Sequence, residues 1–514
     1  MPPITSRLVV SVRLAIVGLL ISQPITPAVI IVDGVCTLGD AITAANNDAP
    51  TGGCPAGSGA DEIQLTADVV LLAPLPALAG EVTVEGNGFA VSRDAAAPDF
   101  SVLHLISPAP VALQNLTVSN GSASEGGGIF SEVSGPVTLS NTSILDNEAL
   151  GNGGGIAAYG ASLTITNSTI EGNNAGGRGG GIYAPYTTLV ASTVRGNEAG
   201  SSGGGIYGGW YASVNLVDSV LSGNIAGTNG GGVDAGTQYG SATLVNSTVT
   251  GNVAAGIGGG LFISGYSNSA SLVNSTITGN SAATAGGLYV YGEFGLTAGA
   301  GERFVPEGHY ANLTLRDNII ADNSGGDCLL LGIDFSPDVS GNFDGDDSCF
   351  DALPIVAGVD FETSAANNGG STVTHALLAG SVAIDAAGAC GLSTDQRGFP
   401  RDSACDAGAY EFVDFSLAVT GRCPGLVTID VTTSSPNQGL IVFAGTGAGS
   451  STVPGAGACS GTALDIDSAR RWRTLMTDAT GQVSTSLTLG SQWCDRVVQA
   501  VDRDCATSNT ADIP

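Results

Sequence analysis

Lysine is absent from this 514-residue sequence: its 15 basic residues are all arginine, against 46 acidic residues, and the net charge is −31. Phosphate contacts require clustered positive charge, so the composition argues against nucleic acid as a partner. Only 12% of the residues are charged, and there are three histidines. The chain is therefore poor in groups that transfer protons near neutral pH.

Long hydrophobic runs are also scarce. The apolar run from Leu14 to Ile21 follows Arg7 and Arg13, and it is shorter than the ~20 residues that a membrane-spanning helix needs. Small residues that suit signal cleavage follow and end at Ala28. We interpret residues 1–28 as an export signal and expect no integral membrane segment in the mature chain.

The spacing Cys-x-x-Cys does not occur among the ten cysteines, which disfavours a structural zinc site. In an exported chain we expect disulfides instead. The short loops predict three pairs: Cys36–Cys54, Cys328–Cys349 and Cys390–Cys405. For the last four cysteines, which allow three connectivities, we predict Cys423–Cys505 and Cys459–Cys494.

The sequence does contain one motif that is repeated seven times between Val137 and Asn323. An apolar residue is followed two positions later by a residue that is usually Asn or Asp, then three positions later by a second apolar residue. An Asn closes every copy after three more positions. The first apolar column is Leu139, Ile165, Leu189, Leu216, Leu244, Leu272 and Leu315, and the closing column is Asn147, Asn173, Asn197, Asn224, Asn252, Asn280 and Asn323.

This period of mostly 24 to 28 residues is typical of one coil of a solenoid. Between the copies of this motif, Gly-Gly-Gly followed by an apolar residue recurs and predicts a tight corner. Strands of successive coils should pair in parallel about 4.8 Å apart, so equivalent Asn side chains should stack. We interpret the Asn columns as internal ladders that satisfy the turn backbone, with a repetitive ligand face as the alternative.

Both ends of the chain differ from the repeat. Leu38, Ala41, Ile42 and Ala45 have helical spacing, so residues 29–60 are predicted to cap the solenoid with a short helix. Residues 61–411 are predicted to form the solenoid. Residues 412–514 have short alternating strands and four cysteines, which predict a small disulfide-bonded β-sandwich.

Three parts of the chain resemble known families. Cys36 to Asn46 resembles the CSLREA-type motif of exported bacterial β-helix proteins, although Gly39-Asp40 stands where that motif usually has Arg-Glu or Arg-Asp. The segments Thr374 to Leu378, Ala383 to Asp385, Thr394 to Arg401 and Cys405 to Glu411 resemble the choice-of-anchor Q domain, here residues 367–411. The repeats are similar to those of polymorphic outer-membrane proteins, with Gly-Gly-Gly-Ile in place of Gly-Gly-Ala-Ile. These resemblances imply a right-handed parallel β-helix on an exported surface protein, and they imply no established reaction.

Two charged groups are candidate sites. Asn342, Asp344 and Asp346 offer hard oxygen ligands that suit Ca²⁺, and they are also compatible with a solvated acidic loop. The densest group of charges consists of Asp395, Arg397, Arg401, Asp406 and Glu411. We interpret these residues as ion pairs of a closing coil of the solenoid, and the alternative is a ligand site.

Aromatic residues near the glycine corners are the candidate ligand contacts: Tyr183, Tyr207, Trp210, Tyr239, Tyr266 and Tyr289. We expect a monomeric, secreted or cell-surface protein that binds glycans or a host matrix, or that serves as a structural spacer. A polysaccharide lyase or glycoside hydrolase for acidic polysaccharides is the alternative, because this fold also hosts such enzymes. We assign no catalytic residue and no cofactor other than the candidate Ca²⁺.

Overall fold

The structure is a computed structural model. It describes residues 27–132, 135–236, 238–292, 311–335, 340–349, 353–368, 370–388, 390–412, 416–433, 439–446, 448–452, 463–466, 468, 470–477, 482–489, 493, 496–501, 508 and 511–512. The predicted export signal covers residues 1–28, and of these only residues 27 and 28 lie within the described part of the chain.

One α-helix, Leu38–Asn47, covers the N-terminal end of the solenoid. The Thr37 side chain caps the helix by accepting the backbone N–H of Asp40, and its hydroxyl donates to the Asp40 carboxylate at 2.7 Å. Leu38, Ala41 and Ile42 are buried against the first coils, as their spacing predicts. The helix therefore protects the apolar end of the core from water.

Four parallel sheets form the solenoid, and a coil visits them in the order in which they are numbered here. Sheet 1 has 12 strands among the described residues: Val29–Val32, Asp61–Leu65, Val82–Glu85, Val111–Gln114, Val137–Ser140, Ser162–Thr166, Tyr186–Val190, Ser213–Val217, Ser241–Val245, Ser269–Val273, Ala311–Arg316 and Ile333–Phe335. Sheet 2 also has 12: Val69–Leu71, Ala90–Arg93, Thr117–Ser119, Ser143–Leu145, Thr169–Glu171, Thr193–Arg195, Val220–Ser222, Thr248–Thr250, Thr276–Thr278, Ile319–Ala321, Phe343–Asp344 and Leu353–Pro354.

The other two sheets complete each coil. Sheet 3 consists of two-residue strands: Ser122–Ala123, Glu148–Ala149, Asn174–Ala175, Glu198–Ala199, Ile225–Ala226 and Val253–Ala254. Sheet 4 follows the glycine corner: Leu103–Leu105, Ile129–Ser131, Ile156–Ala158, Ile182–Tyr183, Ile206–Tyr207, Val233–Asp234, Leu261–Gly265, Leu288–Gly292 and Cys328–Leu331. The chain thus forms a right-handed parallel β-helix, as predicted.

The two apolar columns of the repeat form the core. Leu139 pairs with Ile165 in sheet 1 and Ile144 with Ile170 in sheet 2, so equivalent residues of successive coils stack. These side chains are buried throughout the repeat, which confirms the predicted inward direction. Alternate residues of the same strands face outward, as the period of two in a strand requires.

The glycine corners bring neighbouring backbones into direct contact. A Cβ atom on Gly154 would lie 2.4 Å from the carbonyl oxygen of Asn174 and 2.5 Å from that of Gly180. No side chain fits at that distance, because real Cβ contacts are longer. The glycine is therefore required by packing between coils rather than by a positive φ.

After the last coil the described residues form two larger antiparallel sheets. One contains Ser416–Gly421, Gly425–Thr432 and Gln482–Leu489; the other contains Arg470–Met476, Gly439–Gly445, Val497–Val501 and Ala511–Asp512, and a further hairpin pairs Ala448–Thr452 with Ala463–Ile466. Val427 and Ile429 of the first sheet share a buried cluster with Val442 and Val498 of the second. This packing of sheet on sheet is the predicted β-sandwich.

Disulfides join Cys36 to Cys54, Cys328 to Cys349 and Cys390 to Cys405, and they indicate an oxidising environment rather than a reducing cytosol. Cys423 is also disulfide-bonded. Its predicted partner Cys505 and the predicted pair Cys459–Cys494 lie outside the described residues. Within the described part of the chain, no helix has the length and apolarity needed to cross a membrane.

Candidate functional site

The closing Asn column forms a continuous hydrogen-bonded ladder inside the corner between sheets 2 and 3. Asn173 is representative: its Nδ2 donates to Asn197 Oδ1 at 2.9 Å and to the Ile144 carbonyl at 3.0 Å. Its Oδ1 accepts both the backbone N–H and the Nδ2 of Asn147. The same pattern continues through these residues: Asn197, Asn224, Asn252, Asn280 and Asn323. The column is buried, so it is a structural element and presents no ligand face.

The first Asn column behaves differently from our interpretation of it as an internal ladder. Asn141 and Asn167 have positive φ and face solvent, and the next residue points inward instead. Ser168 Oγ accepts the Thr142 N–H at 3.0 Å, and the Ser192 hydroxyl accepts the Ser168 N–H at 3.1 Å. A short Ser or Thr hydroxyl fits this tighter corner, whereas the Asn tolerates the left-handed backbone.

The closing segment, residues 367–411, packs on the outer face of sheet 2 and is not a further coil. Asn246 Nδ2 donates to the Thr394 carbonyl at 2.8 Å, and the Thr248 hydroxyl donates to Gln396 at 2.6 Å. His375 Nε2 lies 3.0 Å from the Thr250 hydroxyl. The segment thus covers the later coils from outside, which corrects our interpretation of it as a closing coil.

Ion pairs inside the closing segment are buried. Arg397 Nη2 lies 2.7 Å from Asp395, and Arg401 Nη1 lies 2.8 Å from Glu411, and each of the four side chains is at most 3% exposed. The Arg397 guanidinium is also sandwiched between the Phe399 and Tyr410 rings, at 4.3 and 3.7 Å from their centroids. These four charges are thus paired inside the segment, as the structural interpretation predicts.

Asp406 is the carboxylate of this group that has no arginine side-chain contact. Its oxygens accept the backbone N–H groups of Asp385 and Phe412. Burial raises the pKa of Asp406 to about 7 against the opposing effect of these hydrogen bonds. Arg401 instead donates to the Asp406 carbonyl oxygen at 3.0 Å.

The structure changes the membership of the acidic candidate site. Carboxylate oxygens of Asp327, Asp344 and Asp346 lie within 4.8 Å of one another. The Oδ1 of Asn342, the other predicted ligand, accepts two hydrogen bonds from Asn318. Burial raises the pKa of Asp327 to about 7. Three carboxylates at this distance suit a hard cation such as Ca²⁺.

Sequence reasoning missed Asp327 because its role depends on the ladder. Its Oδ1 accepts from the backbone N–H of Asn323 at 2.9 Å and from Asn323 Nδ2 at 2.8 Å, so it is the final rung. Its Oδ2 accepts the Gly345 N–H at 3.0 Å. A carboxylate four residues after the last ladder Asn is the available signal, because the ladder needs an acceptor at its end.

Most of the predicted ligand aromatics pack on one another. Tyr183 stacks on Tyr207 at 5.2 Å between ring centroids, and Phe262 stacks on Tyr289 at the same distance. Tyr207 is only 5% exposed, so its assignment as a ligand contact is wrong. Tyr183, Tyr266 and Tyr289 are half-buried. Rings that stack along the solenoid axis use their faces for each other and leave only edges to solvent.

Three aromatic residues remain exposed together in the loops that join sheet 4 to sheet 1. Trp210, Tyr211 and Tyr239 are 66%, 58% and 46% exposed. Tyr211 and Tyr239 stack with their rings 3° from parallel and 5.0 Å apart. Their loops also align, because the Tyr211 N–H donates to the Gln238 carbonyl at 3.0 Å. We call these three residues the aromatic patch.

The backbone under the aromatic patch is strained. Tyr211 and Tyr239 have φ values of 56° and 54°, in the left-handed region that Gly and Asn occupy more readily. A tyrosine at such a position costs on the order of 1 kcal/mol or more. Strain of this kind is typical of binding sites, where it is offset by the surrounding structure.

A cavity of about 700 Å³ lies between the closing segment and the sandwich. Asp385, Asp402 and Glu411 contribute carboxylates to its lining. Glu411 is already occupied by Arg401 and by the N–H groups of Asp402 and Asp406. Its carboxylate is therefore held by structure and is not free to act as a general acid.

The comparisons with known proteins agree with the architecture. A family model described as a right-handed β-helix region matches residues 107–298, which include most of the repeat. No curated protein shows significant similarity to the chain. The fold is one that structural and carbohydrate-related proteins use, and the match adds no reaction.

Proposed function

We propose that this is an extracellular or cell-surface protein that binds carbohydrate through the aromatic patch and holds it without cleaving it. The exposure of Trp210 beside the stacked pair Tyr211 and Tyr239 carries the proposal. Flat aromatic rings provide large apolar area at little loss of side-chain entropy. The hydrophobic face of a sugar ring is a complementary surface for them.

The strain in the two tyrosines supports the same proposal. The sequence places large rings where Gly or Asn would cost less, and neither ring contributes to the buried core. A side chain kept at such a position at a cost to stability is best explained by contact with a partner. The solenoid coils also hold both loops in register, so the patch is preorganised.

An array of neutral oligosaccharides tests the proposal. We expect the mature chain to bind a subset of the array, Trp210→Ala to reduce that binding at least tenfold, and Tyr186→Ala to leave it unchanged. Tyr186 is a matched control because it is 46% exposed but lies outside the patch. Equal binding by the wild type and Trp210→Ala would contradict the proposal.

Cleavage of an acidic polysaccharide is the second candidate, and the cavity beside Asp385 and Asp402 is the observation that favours it. Glycoside hydrolysis requires two carboxylates that flank the bond. If this cavity were the active site, Asp402→Asn would abolish the release of reducing ends from polygalacturonate while the melting temperature stayed unchanged. We expect no such release from the wild type.

A further inference from the structure

A group of arginines lies on one strand of the C-terminal sandwich. Arg470, Arg471 and Arg473 are exposed on strand Arg470–Met476. Among the described residues none of the three forms an ion pair with a carboxylate. The Arg471 guanidinium donates a hydrogen bond from Nη2 to the Thr474 hydroxyl at 2.7 Å. Arg397 and Arg401 of the closing segment, by contrast, are matched to carboxylates.

This strand also lies at the edge of its sheet. Its ladder partner is Gly439–Gly445, and among the described residues no strand pairs with its other side. From Arg470 to Arg473 the strand spans about 10 Å. Side chains alternate between the two faces of a strand, and the register shifts between Val442 and Phe443 opposite this run. The three guanidinium groups therefore share the exposed edge of the sheet without sharing one face, and several negative charges along a polymer suit this edge better than a single ion.

Two indole rings adjoin the arginines. Trp472 lies within the arginine run and stacks on Trp493, with ring centroids 5.2 Å apart and planes 27° from parallel. The Arg496 guanidinium lies 5.8 Å from the Trp493 centroid. Both rings also pack against the sandwich core, so the core holds the group in place.

Charge is distributed unevenly along the chain. Residues 412–514 contain six arginines and nine aspartates, a net charge of −3, and residues 1–411 carry the remaining −28. A polyanion is therefore repelled by most of the protein and attracted only where positive charge is concentrated. Exposed arginines clustered on one strand of an acidic protein suit a partner of opposite charge.

We propose that Arg470, Arg471, Arg473 and the Trp472–Trp493 pair form a binding site for an anionic polysaccharide that carries carboxylate or sulfate groups. Arginine pairs with both groups through two parallel hydrogen bonds. The exposed edges of the two half-buried indole rings add apolar contact beside the arginines, which would favour a sugar polymer over a simple polyanion. This site is distinct from the aromatic patch of the solenoid and does not depend on its function.

Binding of the mature chain to four immobilised polymers tests the proposal: heparin as the sulfated probe, polygalacturonate as the carboxylated probe, dextran as the neutral probe and polyphosphate as an anion without sugar. We expect binding to heparin or polygalacturonate that weakens with salt, and none to dextran through this site. The double variant Arg471→Gln/Arg473→Gln should bind at least tenfold more weakly. The control Arg178→Gln/Arg195→Gln removes the same charge from exposed positions of the solenoid and should bind like the wild type.

Three results would overturn the proposal. One is the absence of binding to both anionic polysaccharides at low salt, and another is equal binding by the wild type and the arginine double variant. The third is binding to polyphosphate as tight as to the glycans, which would mean that charge alone is recognised. Trp210→Ala should retain this binding, so failure here and failure of the aromatic patch are distinguishable. Equal melting temperatures confirm that the variants are folded.

Discussion

At the scale of single residues, the side chains inside the solenoid corners are defined by hydrogen bonds. Asn173 satisfies an amide and a carbonyl in neighbouring coils at once, while the adjacent Asn174 faces solvent. Identical residue types one position apart therefore have opposite roles. The strict closing column of the repeat reflects the first role, since the Asn amide supplies a donor and an acceptor at the reach that this corner requires.

Asn173→Ala should destabilise the chain by about 2–4 kcal/mol, because it leaves buried groups of the Asn147 rung and the Ile144 carbonyl without partners. Asn174→Ala should change stability by less than about 0.5 kcal/mol, as expected for an exposed site. Urea denaturation of both variants provides the comparison. Equal stabilities would mean that the ladder contributes nothing.

The buried carboxylate of Asp234 should make the stability of the folded chain depend on pH. Burial raises its pKa from 3.8 to about 6, so the folded state holds this proton more tightly than the unfolded state. The associated stability is present below about pH 4 and is lost as the pH rises through about 6. The loss is on the order of 2–3 kcal/mol.

Asp234→Asn should abolish this contribution, because the amide carries no titratable proton. Relative to the variant, the wild type should become less stable between pH 4.5 and pH 7.5 in urea denaturation. Parallel stability curves across that range would show that Asp234 is not the group responsible. Its side chain accepts the Gly236 N–H at 2.8 Å, which an Asn oxygen also accepts.

At the scale of elements, the glycine corners decide how closely coils approach. Gly154→Ala places a Cβ against two carbonyl oxygens of the next coil, so it should lower the melting temperature by several degrees. Gly80 has open space where its Cβ would lie and no positive φ. Gly80→Ala should leave the melting temperature unchanged, and a similar loss in both would contradict the packing argument.

The acidic loop is the second element that yields a prediction. Asp327, Asp344 and Asp346 repel one another when ionised, so Ca²⁺ should raise the melting temperature at pH 8 and a chelator should reverse the rise. Asp346→Asn should remove the effect, whereas the neighbouring Asp347→Asn should retain it. A melting temperature insensitive to Ca²⁺ would favour a solvated acidic loop.

The elements also show what sequence could predict. The stacked columns at Leu139 and Asn147 follow from local spacing, so the fold and the ladder were predictable. The position of residues 367–411 on sheet 2 was not, because it rests on contacts such as Asn246 to Thr394, 148 residues apart. The burial of Tyr207 was missed for the same reason: spacing places a ring beside a corner but does not reveal its stacking partners.

At the scale of the whole molecule, a rigid solenoid presents different surfaces on its different sides. Sheet 2 is covered by the closing segment in its later coils, sheet 4 bears a self-packed row of rings, and the loops before sheet 1 bear the aromatic patch. The exposed aromatic surface is therefore concentrated in a few coils. This arrangement suits a protein that holds a ligand on a rigid support.

Incubation of the mature chain with the oligosaccharide that it binds best is the most direct test of binding without cleavage. The bound fraction and the release of reducing ends or unsaturated products are measured in the same sample. We predict saturable binding that Trp210→Ala weakens at least tenfold, with the oligosaccharide recovered intact. Product that accumulates with time and protein concentration would contradict the account.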